Sequence, residues 1–268
     1  MAWPRTRILV PVLLAALALA GWQARGLLFP GQLVQMRDNP CPAPANEADE
    51  AVPVKYDWVD LCRYVHDNAR VLARGAPIEA VFFGDSILAY WQEEPNAPFT
   101  PVRLNRAMPG QTSQQLLLRM RQDVIALKPR VVVIEGGIND VLGNTGLIGP
   151  KGYFDDVESM IDLAQAHGIA VVLVSLPPAG RHEKRPDVDF PPRVAQLNRG
   201  LAELAARRGV VFADIYTPLA GPGGLPRADW TTDGIHLTQD AYGAIRPVID
   251  RAVEQALRAA PESGAEGR

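Results

Sequence analysis

Three short runs of uninterrupted apolar residues dominate the pattern of the chain: Ala80–Phe83, Val131–Ile134 and Ala170–Val174. Runs of this length predict strands that are buried on both faces, which is typical of a parallel sheet covered by helices. Residues 102–107 are a weaker strand candidate, and residues 210–215 are a further predicted strand. The chain is therefore expected to form a sheet of about five short strands.

Segments with apolar residues at helical spacing alternate with these strands. The pattern predicts helices over residues 58–73, 114–127, 153–167, 192–208 and 239–257. Alternation of strand and helix predicts an α/β domain with helices on both faces of a parallel sheet. With right-handed crossovers, the simplest topology is a flavodoxin-like three-layer α/β/α sandwich.

Composition excludes several classes of protein. The 268 residues are 47% hydrophobic, enough for a sizeable core, and a net charge of −3 argues against a nucleic-acid binder. Two cysteines and four histidines exclude a disulfide-dense scaffold, a four-cysteine zinc site and a histidine-rich metal centre. No metal or organic cofactor is expected, and the oligomeric state stays open.

The N-terminus predicts export or membrane anchoring. Arg5 and Arg7 precede an apolar run of 13 residues, 8–20, which ends in the small-x-small sequence Ala18-Leu19-Ala20. This length suits a cleaved signal peptide, but apolar residues beyond the run leave an uncleaved anchor open, and a buried core helix is a third alternative. Under the first two alternatives the globular part is extracytoplasmic, either periplasmic or secreted.

The predicted domain organisation follows from this N-terminus. Residues 1–30 are the signal peptide or anchor, residues 31–75 a linker and a helix that precedes the domain, residues 76–260 the α/β domain, and residues 261–268 a tail. Cys41 and Cys62 lie after the export segment. In an oxidising compartment they would pair, and the alternative is two unpaired thiols.

Polar residues that follow the predicted strands carry the functional signal, because ligand sites of open α/β sheets form beyond the carboxyl ends of the strands. Gly84-Asp85-Ser86 follows the first strand, 108–112 the second and 135–140 the third, and 233–236 precedes the last helix. Together they offer a hydroxyl, backbone amides, a carboxamide, a carboxylate and an imidazole. This is the inventory for nucleophilic acyl transfer.

These segments, taken in order, resemble the sequence blocks of the SGNH/GDSL hydrolases, and specifically of the bacterial lysophospholipase-like and acylhydrolase branch. Gly84-Asp85-Ser86-Ile87 is similar to the family's G-D-S-L block, and Gly110 to the glycine of its second block. Gly137-Ile138-Asn139-Asp140 resembles G-x-N-D, and Asp233-Gly234-Ile235-His236 resembles D-x-x-H. Ile87 and Ile138 stand where the family often has Leu and Thr, and these departures remove no catalytic group.

The resemblance implies a role for each matched residue. Ser86 would be the nucleophile, His236 its base and Asp233 the carboxylate that orients His236. The oxyanion hole would comprise the backbone N–H groups of Ser86 and Gly110 and the side chain of Asn139. Supporting roles fall to the remaining block residues, which are Gly84, Asp85, Gly137 and Asp140.

Each residue also has a plainer interpretation. Ser86 is a suitable helix N-cap, and Gly110 and Asn139 are suitable turn residues. For Asp85, a role as a turn or cap residue is favoured over a catalytic role. Trp91 and Trp230 lie near the blocks, where they would either line a substrate pocket or pack in the core.

The resemblance implies a serine esterase that acts on a small-molecule, lipid or glycan ester, such as a short acyl ester, a lysophospholipid or an O-acetylated glycan. An O-acyltransferase would use the same triad on an envelope glycan. A non-catalytic module that binds a glycan or a partner protein is a third class of function.

Overall fold

The computed structural model describes residue 41, residues 57–183 and residues 185–260. The predicted signal or anchor segment, most of the linker and the C-terminal tail lie outside the described residues. The chain divides into a short unit, Met1–Pro42, and a main unit, Ala43–Arg268, and the description below concerns the main unit. None of the described helices is long and apolar enough to cross a membrane.

The described part of the main unit alternates strands and helices along the chain. In order, the elements are α1 (Val65–Ala73), β1 (Ala80–Phe83), α2 (Ser86–Trp91), β2 (Arg103–Asn105), α3 (Ser113–Asp123), β3 (Val131–Ile134), α4 (Ile138–Leu142), α5 (Pro150–Ala166), β4 (Ala170–Val174), α6 (Phe190–Arg208), β5 (Val211–Ala213), α7 (Tyr216–Leu219) and α8 (Gln239–Ala259). Short 3₁₀ turns occur at Ile125–Leu127, Pro222–Gly224 and Ala228–Trp230.

The five strands form one parallel sheet in the order β2-β1-β3-β4-β5. This is the flavodoxin-like order, so the predicted α/β fold is confirmed. Every residue of β1 and β3 is buried, as expected for central strands that are covered on both faces. Phe83 at the end of β1 pairs with Ile134 at the end of β3, so the loops that follow these strands start side by side.

The helix predicted over residues 58–73 begins only at Val65, and residues 58–64 form turns. The carboxylate of Asp57 accepts the backbone N–H groups of Leu61 and Cys62, at 2.8 and 2.7 Å, and Asp60 has a φ of 64°. A carboxylate that captures backbone donors competes with helix formation, which explains the late start.

The other long helices differ from the prediction mainly at their ends. α3 stops at Asp123, because Val124 leaves helical geometry before a 3₁₀ turn. α5 and α6 begin earlier than predicted, each with a proline in its first turn, where a missing N–H costs nothing. The N-cap interpretation of Ser86 implied a helix after β1, but the bounds of α2 and the existence of α4 and α7 were not predicted, since four to six residues are too few to show a helical period.

Both cysteines of the chain, Cys41 and Cys62, are disulfide-bonded, and free thiols are absent from the described residues. The alternative of two unpaired thiols is therefore wrong. Cys62 lies in the turns immediately before α1.

Candidate active site

Ser86 is the first residue of α2 and directly follows the turn at the end of β1. Asp85, not Ser86, is the N-cap of this helix, because its carboxylate accepts the backbone N–H of Ile87 at 2.9 Å. The expectation that Asp85 is a cap residue therefore agrees with the structure, and the N-cap interpretation of Ser86 does not. Capping by Asp85 leaves the Ser86 hydroxyl for other contacts.

His236 contacts both Ser86 and Asp233. Its Nε2 lies 3.0 Å from Ser86 Oγ, and its Nδ1 lies 2.7 Å from Asp233 Oδ2. The other carboxylate oxygen of Asp233 accepts the backbone N–H groups of Ile235 and His236, at 3.0 and 2.9 Å. These bonds fix the carboxylate relative to the ring, so the three side chains form an Asp–His–Ser hydrogen-bonded chain.

Asp233 is held in its ionised form. Partial burial would by itself raise the pKa of Asp233, but hydrogen bonds from the His236 backbone and ring and from the Ile235 N–H outweigh it and lower that pKa. A carboxylate that stays charged can hold a proton on His236 Nδ1 and leave Nε2 free to accept the proton of Ser86.

The loop that carries His236 is pinned to the segment after β4. Gly180 donates its backbone N–H to Gly234 O at 2.7 Å, and Gly234 has a φ of +92°. A Cβ at Gly234 would lie 2.6 Å from the carbonyl oxygen of Arg181, so only glycine permits this approach. The position of His236 therefore depends on a loop from another part of the sheet.

Two backbone donors of the predicted oxyanion hole have no acceptor among the described residues. They are the N–H groups of Ser86, at the start of α2, and of Gly110, in the loop between β2 and α3. Gly110 has a φ of +81°, which glycine adopts without strain. A helix N-terminus with an unpaired N–H favours developing negative charge.

The segment before the sheet domain holds the Gly110 loop. Tyr64 Oη donates to Ala107 O at 2.7 Å, and Gln111 Nε2 donates to Val59 O at 3.1 Å. The fully buried Arg119 of α3 donates to the carbonyl oxygen of Arg106 at 2.6 Å. These bonds were not predicted, because they join residues far apart in the chain.

Asn139 lies on α4 beside this site, 6% exposed. Its Nδ2 donates to Asp85 Oδ2 at 3.1 Å and to Gln111 O at 3.0 Å, and its Oδ1 accepts Asn144 Nδ2 at 2.8 Å. Both N–H bonds of the amide are therefore engaged, which the sequence did not indicate. The Asp85 carboxylate accepts one of these two N–H bonds and so helps to fix the orientation of the amide.

Burial raises the pKa of Asp85 to about 6, although hydrogen bonds from Ile87, Glu135 and Asn139 and the charge of His236 oppose this. Asp140 behaves similarly: burial raises its pKa to about 6 despite the hydrogen bonds that it accepts from Ser113. Ser113 is the first residue of α3, so Asp140 ties α4 to α3.

The glycines of the blocks permit close packing. A Cβ at Gly84 would lie 2.4 Å from Glu135 O, and one at Gly137 would lie 2.9 Å from Tyr153 Oη. Gly84 does not have a positive φ, so close approach, and not an unusual turn, accounts for this glycine.

The aromatic residues near the blocks differ in role. Trp91 is fully buried and stacks on Tyr242, with ring centroids 5.2 Å apart, so it packs in the core and lines no open pocket. Trp230 is partly buried against the core and contacts Arg227. Tyr90 was missed: its ring lies 5.1 Å from that of His236. Its spacing of four residues from Ser86, on one helical face, was the available signal.

Across the described ranges, no group of three or more histidine, cysteine or acidic side chains is arranged to hold a metal ion.

Comparison with known proteins identifies this arrangement. The GDSL-like Lipase/Acylhydrolase family model matches residues 82–244, which contain Ser86, Asn139 and His236. No curated protein matches the chain.

Solved structures agree with the family match. A GDSL-like lipase from Bacteroides thetaiotaomicron VPI-5482 is 34% identical, with a TM-score of 0.70 over 75% of this chain and 100% of that one. A lipase/acylhydrolase from Enterococcus faecalis is 25% identical, with a TM-score of 0.54 over 70% of this chain and 100% of that one. The acetyl xylan esterase AlAXEase, 21% identical with a TM-score of 0.54 over 66% of this chain and 100% of that one, shares the fold.

The matched family, the fold and the Asp–His–Ser geometry lead to one conclusion: the chain belongs to the GDSL-like lipase/acylhydrolase family and is an ester hydrolase.

Proposed function

We propose that the enzyme hydrolyses carboxylic esters through an acyl-enzyme on Ser86. The observation that carries this proposal is the continuous hydrogen-bonded chain from Asp233 through His236 to Ser86, with distances of 2.7 and 3.0 Å. In the first step Ser86 Oγ forms a bond to the ester carbonyl carbon while its proton passes to His236 Nε2. The carbonyl π electrons move onto oxygen and create an oxyanion.

The second half of the reaction uses the same groups. Collapse of the oxyanion breaks the ester C–O bond, and the leaving alkoxide takes the proton from His236 and departs as an alcohol. Water then gives a proton to His236 Nε2 as it attacks the acyl carbon. A second collapse releases the carboxylic acid and returns the proton to Ser86.

We assign the oxyanion to the N–H groups of Ser86 and Gly110 and to Asn139 Nδ2. The assignment of the two backbone N–H groups is supported because neither of them donates to another acceptor among the described residues. For Asn139, the bond to Asp85 holds the amide, and the N–H now donated to Gln111 O would be shared with the oxyanion. This bond would be stronger in the transition state, where the oxygen carries a negative charge, than in the ground state.

A cavity of about 280 Å³ lies beside α4. Its lining begins at Asp140, the residue after Asn139, and combines apolar side chains such as Leu142 and Ile148 with Arg185 and Arg193, but it includes none of the proposed catalytic or oxyanion residues. Ligand pockets typically enclose roughly 300–1,000 Å³, so this cavity is small. We propose that it accommodates a short substrate chain next to the site, and therefore that the enzyme prefers short-chain or acetyl esters, such as that of an O-acetylated glycan.

We also propose that the enzyme acts outside the cytoplasm. The basic residues before the apolar run 8–20 support export or anchoring, and the disulfide-bonded cysteines suit an oxidising compartment. Alkylation of the protein from its native compartment, followed by intact-mass measurement with and without reductant, tests this. Two alkylated thiols in the unreduced sample would contradict the proposed compartment.

Ser86→Ala tests the proposed function. Turnover on a short-chain ester is expected to fall by at least roughly 10⁴-fold, because the nucleophile is lost, while the fold persists because only a hydroxyl is removed. Ser159→Ala is the matched control, since Ser159 is a half-buried residue of α5 whose hydroxyl donates to Asp155 O and contacts none of the proposed catalytic groups. Turnover by Ser86→Ala close to that of the wild type would rule out Ser86 as the nucleophile.

The same assay identifies the ester class and the acceptor. Acetyl and short-chain esters should be hydrolysed with higher kcat/KM than long-chain esters or lysophospholipids, and a preference for long chains would contradict the assignment of the cavity.

Product analysis with and without a glycan acceptor separates hydrolysis, which yields free acid, from acyl transfer.

Asn139→Ala tests the proposed oxyanion donor. We expect kcat to fall by roughly 10²- to 10³-fold with little change in KM, since the lost donor acts mainly in the transition state. Asn144→Ala is the comparison: it removes the bonds to Asn139 Oδ1 and to Gly110 O but no proposed donor, so kcat should fall less than for Asn139→Ala. A raised KM with unchanged kcat for Asn139→Ala would make Asn139 a substrate-binding or turn residue.

A further inference from the structure

Glu135 is a buried acid that the reaction above does not use. It is the first residue after β3 and is 1% exposed. The pairing of Phe83 with Ile134 places it beside Gly84. A Cβ at Gly84 would lie 3.0 Å from Glu135 Oε2, so the absence of a side chain at Gly84 makes room for this carboxyl group.

The surroundings of Glu135 do not suit a negative charge. Within the described residues, neither carboxyl oxygen has a hydrogen-bond partner of standard geometry. Burial and the charge of the Asp85 side chain raise the pKa of Glu135, and they outweigh the backbone N–H of Asp85, which favours the ionised form. The carboxyl group with which Glu135 interacts, that of Asp85, is itself fully buried. Two ionised carboxylates in contact without a cation would repel strongly, and an unpaired buried charge is very costly.

We propose that Glu135 is a positioning residue: as a neutral carboxylic acid it donates a hydrogen bond to the Asp85 carboxylate and thereby holds Ser86 and Asn139 in place. The proposal rests on the proposed function, since its purpose is to order the nucleophile and an oxyanion donor. Glu135 itself contacts none of the reacting groups.

Asp85 transmits the effect of Glu135 through two bonds. Its Oδ1 accepts the N–H of Ile87 and so fixes the first turn of α2, where Ser86 lies. Its Oδ2 accepts Nδ2 of Asn139. A carboxylate with a third donor from Glu135 has less freedom to rotate away from either bond. Through Asp85, Glu135 therefore helps to position both the nucleophile Ser86 and the oxyanion donor Asn139.

The ionisable groups that face this pair agree with a neutral Glu135. Burial, followed by the charge of Asp85, raises the pKa of Glu135 well above its ordinary value. The other ionisable groups that interact with Glu135 are the hydroxyls of Tyr153 and Tyr242, which are neutral at physiological pH and whose own pKa values are raised. His236 acts on Asp85 and not on Glu135.

Two variants of similar length separate the hydrogen bond from packing. Glu135→Gln retains an N–H donor toward Asp85, so its kcat is expected within about threefold of the wild type. Glu135→Met fills the same space without a donor, and kcat should fall roughly 10- to 100-fold with KM little changed, as for small misplacements of catalytic groups. Equal kcat values in the two variants, whether both high or both low, would overturn the proposal.

Infrared difference spectroscopy reads the protonation state without any need for activity. At about pH 8 Asp85 and Asp140 are ionised, since their pKa values are about 6. The wild type minus Glu135→Gln spectrum should show the carbonyl band of a protonated carboxyl group. A carboxylate band in its place would contradict the neutral acid, even if Glu135→Met failed to fold.

Failure of this proposal differs from failure of the proposed function. If Ser86 is not the nucleophile, Ser86→Ala stays active whatever the Glu135 variants do. If only the role of Glu135 is wrong, Ser86→Ala is inactive while Glu135→Gln and Glu135→Met have the same kcat.

Discussion

The hydrogen bond between His236 Nε2 and Ser86 Oγ joins two residues 150 positions apart, and it exists only because the sheet brings their loops together. Ser86 follows the central strand β1, and His236 lies in a loop that is pinned beside the segment after β4. In a parallel sheet all strands end at the same edge, so residues from distant parts of the chain meet there. The buried apolar strands are thus the physical basis of the site.

Ser86 is buried, whereas Asp233 and His236 are partly exposed, and beneath them lies a layer of buried polar groups with a different task. Asp85 caps the helix of Ser86 and holds the amide of Asn139, and Asp140 ties α4 to α3. Buried polar groups of this kind are costly unless they are hydrogen-bonded, but when they are bonded they fix one geometry. The triad can be partly exposed because the residues below it supply the rigidity.

The central strands and the blocks of the site were predictable from sequence, for physical reasons. β1, β3 and β4 are buried along nearly their whole length, so their apolar runs give their bounds correctly. The edge strands β2 and β5 are partly exposed and shorter than predicted. Periodicity could not predict the late start of α1, because that start depends on the hydrogen bonds that the Asp57 carboxylate accepts from backbone N–H groups.

Within the site, the residue types were predictable but their contacts were not. Ser86, Asp233 and His236 could be named because the blocks that contain them resemble those of the SGNH/GDSL hydrolases. The engaged amide of Asn139 and the buried Glu135 beside Asp85 depend on contacts between loops, which no local pattern encodes. Tertiary hydrogen bonds of this kind can be identified only once the pairing of the strands has placed the loops beside one another.

The central claim, that the triad activates Ser86 as a nucleophile, is tested most directly by covalent labelling with a fluorophosphonate and peptide mass mapping. The folded enzyme should take up one label, on the peptide that contains Ser86, and the heat-unfolded enzyme should take up none, because activation depends on the His236 contact. Label on another residue, or equal labelling of folded and unfolded protein, would contradict an activated Ser86.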